Sequence, residues 1–447
     1  MDVRMLLLKN GYMIDPASGT EGYRDILINT ESGRIEKILP QETASANSGD
    51  LSHRSELTSE NRDWQKDAEI IDLYGQIVAP GLVDVHVHFR DPGLTYKEDI
   101  NTGAMAAAKG GFTSVVLMAN TKPSVDTVKT LQYVLEKGKE TGIHVHSCAN
   151  VTMGMKGKEL TDMEALSACG AAGFTDDGIP LMDEEMLRQA LRQAAKLNKP
   201  VSLHEENPAL IANNGINAGR AAAHFGIGGS PRAAEISMVE RDLKIAVQEE
   251  ADLSIQHIST REAVELVRQA KRHSGHIYAE AAPHHFTLNE EAVIRHGTLA
   301  KMNPPLREEE DRLAVIEGLR DGTIDMIATD HAPHSVEEKA RPITEAPSGI
   351  IGLETALSLG IRELVQKGYL TMMQLMEKMS YAPAKLYHLD AGYLSDGGPA
   401  DILIFDPKKT WVVEKFVSKA CNSPFVGEKM PGVVSYTICG GKIVYRG

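Results

Sequence analysis

The chain has 447 residues, 42% of them apolar and 24% charged, a globular balance with enough material for a large barrel and a small accessory domain. Its formal net charge of −15, with no dense Lys/Arg cluster, argues against a nucleic-acid or anionic-membrane partner. Cys148, Cys169, Cys421 and Cys439 form no CxxC pair and read as reduced thiols, small buried hydrophobes rather than nucleophiles or ligands.

No apolar run approaches the roughly 20 residues of a spanning helix. The opening "MDVRMLLLKNGYMID" lacks a small-residue cleavage site, so a cytoplasmic protein is expected. Residues 1–40 and 68–79 read as short strands and turns. Residues 41–68, within "QETASANSGDLSHRSELTSENRDWQKDAE", are too polar to bury much apolar surface and read as a mobile surface insertion without a catalytic role.

From about residue 80 to 390, short β-branched runs alternate with helical patterns. The runs are "LVDVHVHF", "TSVVLMAN", "IHVHSCAN", "AAGFTDD", "PVSLHEE", "DLSIQHIS", "IYAEAAPHH" and "IDMIATDHAPH". Between them, "DEEMLRQALRQAAKLN" puts Met186, Leu187, Ala190, Leu191 and Ala194 on one helical face. "STREAVELVRQAKRHSG" has Thr260 as N-cap and Gly275 as stop. Eight such units predict an α/β fold, a (β/α)8 TIM barrel over residues 80–390. "GPADILIFDP" and "YTICGGKIVYRG" return to strands, so residues 1–79 and 391–447 are expected to form one composite β-sandwich domain.

The chemistry sits at the ends of the runs. A strand alternates its side chains, so Val83, Val85, Val87 and Phe89 are expected to face the helices, and Asp84, His86, His88 and Arg90 the barrel interior. Neutral imidazoles paired at the C-terminal end of a barrel strand point to metal ligation, because barrel active sites gather there. His204, His257 and Asp330 end later strands, as do Asp176 and Asp177. Taken singly, each suits a buried histidine or a loop cap. Together they can hold two divalent ions with positions left open for water and substrate. His144 and His146 repeat the His-x-His spacing but lack a partner motif, and read as ordinary barrel or strand-end histidines.

"PGLVDVHVHFRDPG", "LMANTKP", "GFTDDG", "HEEN", "QHIS", "KMNPPLR" and "TDHAPH" resemble, in order and spacing, the amidohydrolase superfamily, and most closely its class I dihydroorotases. The resemblance covers the barrel and both chain ends. Hydantoinases, dihydropyrimidinases and allantoinases usually bridge two metals with a carboxylated lysine on the fourth strand; this sequence has "FTDDG" there, resembling the dihydroorotases that use aspartate. The resemblance implies His86, His88 and Asp330 around one zinc, His204 and His257 around a second, and Asp177 with a hydroxide between them. The spacing to "HEEN" favours Asp177 over Asp176 as the bridge.

It further implies substrate contacts from His88, Arg90, Asn120, Asn303, His334, Ser348 and Gly349. Arg90 would clamp a carboxylate, the alternative being a salt bridge with Asp91. Ser348 stands where the family often has Phe, so contact there would come from loop backbone. His284 and His285 are expected to support the site rather than ligate.

The implied activity is cyclisation of N-carbamoyl-L-aspartate to L-dihydroorotate, a step of pyrimidine synthesis, with Asp330 as general acid and base. A homo-oligomer is the expected assembly and aspartate transcarbamoylase a candidate partner. The rival readings are another cyclic amidohydrolase, disfavoured by Arg90 and Asp177, and a non-catalytic scaffold for aspartate transcarbamoylase, disfavoured because no ligand is missing.

Overall fold

A computed structural model describes residues 5–40 and 68–447; the expected insertion at 41–68 lies outside them except for Ala68. Eight parallel segments close a ring. Leu82–Val87, Phe112–Leu117 and His144–Ser147 pair in order, as do Val201–Leu203, Leu253–Ile255, Ile277–Ala281 and Met326–Ile327. The fourth segment is reduced to Phe174, which bridges Ala149 on one side and Val201 on the other. The Val87–His331 bridge shuts the barrel. The fourth strand is this short because the next residues leave the ladder: Asp176 turns to accept backbone N–H groups of Val151 and Thr152.

The expected faces of the first strand need correction. Asp84 pairs with Val115 and Val87 with Leu117, so this strand holds one residue more than its partner over that interval. Such a bulge exchanges faces. Val83 and Val85 therefore pack into the lumen with Val116, Met118, Met326 and Ala328, above Ala384, Leu386 and Tyr387. Val87 and Phe89 pack among the helices, Phe89 so closely that a Cβ on Gly103 would lie 2.4 Å from its ring. Asp84 accepts the N–H of Thr329 instead of facing the interior.

The helices follow their sequence signals. Glu184–Lys196 starts at the Asp183 cap and buries Leu187, Ala190, Leu191 and Ala194, with Met186 half-buried. Arg261–Ala270 is capped by Thr260 but ends before Gly275. The chain tightens there, Arg272 and His273 donating to carbonyls three residues back.

Both chain ends supply one sheet, running Lys442–Arg446, Lys429–Cys439, Ile402–Val412, Ile77–Pro80, Met5–Asp15, Thr20–Asn29 and Arg34–Pro40, with Ala68–Asp72 also on Met5–Asp15. Alternation sorts its faces: Leu6, Leu8, Ile26, Ile28, Ile402 and Ile404 enclose a sandwich core. Ile77, Ala79, Leu403 and Phe405 join the barrel's helical shell. Among the described residues no helix is long and apolar enough to cross a membrane.

Candidate active site

The polar strand ends converge at the C-terminal mouth of the barrel. His86, His88 and Asp177 have ligand atoms within 4.8 Å of one another, and so do Asp177, His204 and His257. Asp177 is common to both groups. Asp330 joins the first, its Oδ1 lying 3.0 Å from His88 Nε2 and 3.5 Å from His86 Nε2. Asp176 is engaged in its loop cap and stands outside both groups.

These contacts suit a divalent cation. Two ligands at 2.0–2.1 Å from a tetrahedral zinc are about 3.3 Å apart, close to the 3.5 Å between His86 Nε2 and oxygens of both Asp177 and Asp330. That nitrogen is buried and has no hydrogen-bond partner among the described residues, an expensive vacancy unless a cation fills it. His204 Nδ1 and His257 Nε2 face each other at 3.1 Å.

The electrostatics agree. Burial alone would raise the Asp177 pKa, but His86, His88 and His204 outweigh it and hold the carboxyl well below its ordinary range. Burial opposes protonation of His86, yet Glu280 and Asp177 raise its pKa well above the usual imidazole value. His257 goes the other way, lowered by burial and by His204 and His86. The cluster thus keeps Asp177 ionised and favours positive charge beside it.

Outer groups fix the ligands. Glu280 Oε1 lies 3.2 Å from His86 Nδ1, which sets the tautomer that leaves Nε2 directed at the two aspartates. Sequence reading missed Glu280; its only signal is a glutamate inside the otherwise apolar run "IYAEAA". Asn120 connects His88 Nδ1 at 3.0 Å to Asp177 Oδ2 at 2.9 Å, so both ends of its amide hold ligands. Asn303 lies 3.2 Å from His204 Nε2, and His285 Nε2 donates to the carbonyl of the neighbouring Pro304. Three residues here, Arg90, His257 and Asp330, have φ of 60°, 29° and 47°, strain of the kind that active-site packing sustains.

A cavity of about 380 Å3 opens above this floor, lined by His88, Arg90, Asn120, Asp177, His204, His257, Asn303, Asp330, Ser348 and Gly349. Arg90 Nε donates to Pro333 O at 3.3 Å. It makes no pair with Asp91, whose carboxylate takes Tyr133 and Lys137.

His334 stands behind the wall. Its ring nitrogens meet Ser348 O at 2.8 Å and Lys97 Nζ at 3.3 Å. The loop carrying Ser348 is laced from behind: Lys301 donates to Ile343 and Ala346 carbonyls, and Lys339 to those of Pro347 and Gly349. Gly349 has φ 134°, and a Cβ there would meet Ala332 Cβ at 2.8 Å. Its N–H donates to Lys301 O at 2.9 Å.

A family model described as dihydro-orotase-like matches residues 75–263. A curated dihydroorotase from Clostridioides difficile is 53% identical over 99% of this chain and 100% of its own length. Another, from Streptococcus pneumoniae, is 50% identical with the same coverage. Among solved structures, an L-hydantoinase (dihydropyrimidinase) from Arthrobacter aurescens matches with a TM-score of 0.83 at 25% identity, covering 99% of this chain and 96% of that one. The dihydropyrimidinase from Brevibacillus agri, at 23% identity and a TM-score of 0.82, covers 99% of this chain and 95% of its own; at that distance the likeness is one of fold. Similarity at this level over the whole length means that the chain belongs to the dihydroorotase family.

Proposed function

We propose that this chain is a dihydroorotase, converting N-carbamoyl-L-aspartate to L-dihydroorotate with loss of water, and the reverse, within pyrimidine biosynthesis. The observation that carries the reading is Asp177 within ligand distance of both histidine pairs, beneath a cavity that Arg90 lines. A bridging aspartate and a guanidinium for an anionic substrate favour this over hydantoin, dihydrouracil or allantoin hydrolysis.

Two zinc ions per subunit would serve as cofactors; His86, His88 and Asp330 would hold one and His204 and His257 the other, with Asp177 within reach of both. Bound there, they would ionise water, whose pKa falls from 15.7 toward about 7 on zinc, and polarise a carbonyl. Asp330 moves the proton. In ring opening it receives the proton of the attacking water and delivers it to the departing ring nitrogen; in closure it takes the carbamoyl N–H proton and returns it to the leaving oxygen. Arg90 holds the carboxylate that does not react, its planar fork matching two oxygens. Asn120 and Asn303 orient His88 and His204, and His334 steadies Ser348. Ser348 bounds the ring pocket where a bulkier side chain is usual in the family.

Catalysis is assigned to residues 80–390 and a supporting role to the composite of 1–79 and 391–447. Four free thiols fit a cytoplasmic location. A homo-oligomer and association with aspartate transcarbamoylase rest on the family reading alone. The test is an assay of purified protein of measured metal content on carbamoyl aspartate beside hydantoin and dihydrouracil. Ring closure should dominate; faster turnover of either neutral ring would overturn the reading.

A further inference from the structure

The second His-x-His lies at the opposite end of the barrel from the active-site cavity. His144 is the first residue of His144–Ser147, where that strand enters the barrel. Its Nε2 is 3.0 Å from Oδ2 of Asp401, the residue before Ile402–Val412. Cys439, the last residue of Lys429–Cys439, completes a cluster whose ligand atoms fall within 4.8 Å of one another. Asp401 and Cys439 are buried, and His144 and Asp401 line a second cavity of about 390 Å3.

The three side chains come from a barrel strand, from the residue that leads into one strand of the chain-end sheet and from the end of another. Gly440 N–H occupies Asp401 Oδ1 at 2.7 Å, which turns Oδ2 toward His144. The Cys439 thiol lies 3.6 Å from the Thr113 carbonyl and also interacts with the Asp401 carboxylate.

We infer that His144, Asp401 and Cys439 form a third cation site, for zinc or a chemically similar thiophilic divalent ion, at the seam between barrel and sheet. One nitrogen, one oxygen and one sulfur ligand suit a tetrahedral ion whose fourth position opens on the cavity. A sulfur donor disfavours Mg2+ and Ca2+, which take oxygen shells. The His144–Asp401 spacing needs to widen by only about 0.3 Å to reach that of two ligands on zinc.

The contact with Asp401 raises the His144 pKa, and burial with the neighbouring Asp401 raises that of the thiol, so the ion must displace both protons: thiol, imidazolium and M2+ give the metal-bound thiolate and imidazole with two H+ released to water. Occupancy would tie a barrel strand to the C-terminal strands and so raise thermal stability. Reading along the sequence hid this cluster, because the partners of His144 lie more than two hundred residues away.

Cobalt(II) is the probe, added to the full chain. The proposed catalytic ligands include no sulfur, so a thiolate-to-cobalt charge-transfer band cannot come from the active site. The band should grow to the amplitude of one thiolate-bound cobalt per chain, vanish in Cys439→Ser, need at least tenfold more cobalt in the surface variant His144→Ala, and persist in Asp177→Asn. Cys439→Ser should keep its circular dichroism and ring-closure rate. Absence of the band under excess cobalt, or a band undiminished in Cys439→Ser, would overturn the inference; the second result would assign the thiolate to Cys421 or Cys169.

Discussion

Replacing Glu280 by Gln isolates what an outer carboxylate does for a metal ligand. Both Glu280 and His86 are 1% exposed and face each other at 3.2 Å. A hydrogen bond to an ionised group in such a place contributes about 1.5–3 kcal/mol, and loss of a ligand's outer partner typically costs 10–100-fold in metal affinity or activity. The two figures agree, since 10–100-fold corresponds to about 1.4–2.7 kcal/mol.

Stability of the metal-free fold should move the other way. Burial raises the Glu280 pKa, and its Oε2 has no hydrogen-bond partner among the described residues, so a neutral amide removes a desolvation penalty. Zinc affinity by chelator competition, kcat and KM for carbamoyl aspartate, and urea unfolding of the stripped protein form the assay. Glu280→Gln should bind zinc at least tenfold more weakly while unfolding at equal or higher urea. Zinc affinity within twofold of the parent would refute the reasoning.

Asp330→Ala should abolish turnover in a protein that still folds; retention of a tenth of the parent rate would remove Asp330 from the proton-transfer role. Arg90→Met should chiefly raise KM for carbamoyl aspartate, and unchanged kcat and KM would dismiss the carboxylate clamp. Lys339 gives a pH test, because burial and nearby Lys301 lower its pKa to about 7. The unfolded chain then binds the extra proton between about pH 7 and 10.5, so unfolding free energy rises with pH across that window. Between pH 7 and 9 the parent should gain up to about 2.7 kcal/mol relative to Lys339→Met; parallel urea profiles would contradict it.

Much of the fold was legible because parallel β/α units leave a strong pattern. Even so, the fourth run is a strand only at Phe174, since a short segment ending in two aspartates has side chains that draw it off the ladder. The facing of Val83 and Val85 was not legible: one extra residue between Asp84 and Val87 inverts the alternation, and nothing in a run of valines marks it. Gly275 misled as a helix stop because the last turn had already tightened at Ala270.

Convergence at the mouth was readable, since histidines and aspartates that end buried strands have few other roles. The wall was harder. His334, Asn120 and Gly349 turn out to be tied to protein groups, and such pairings depend on loops folded back from distant sequence. Glu280 and the His144–Asp401–Cys439 cluster share this property, each having a partner that only the tertiary fold brings near.

The central claim, that six side chains hold a paired cation centre on which turnover depends, is tested most directly by stripping Cys439→Ser of divalent ions and returning zinc stepwise while following ring closure. The rate should fall to background on stripping and recover to a plateau when about two ions per chain are bound. Full turnover with no divalent ion present would contradict the account.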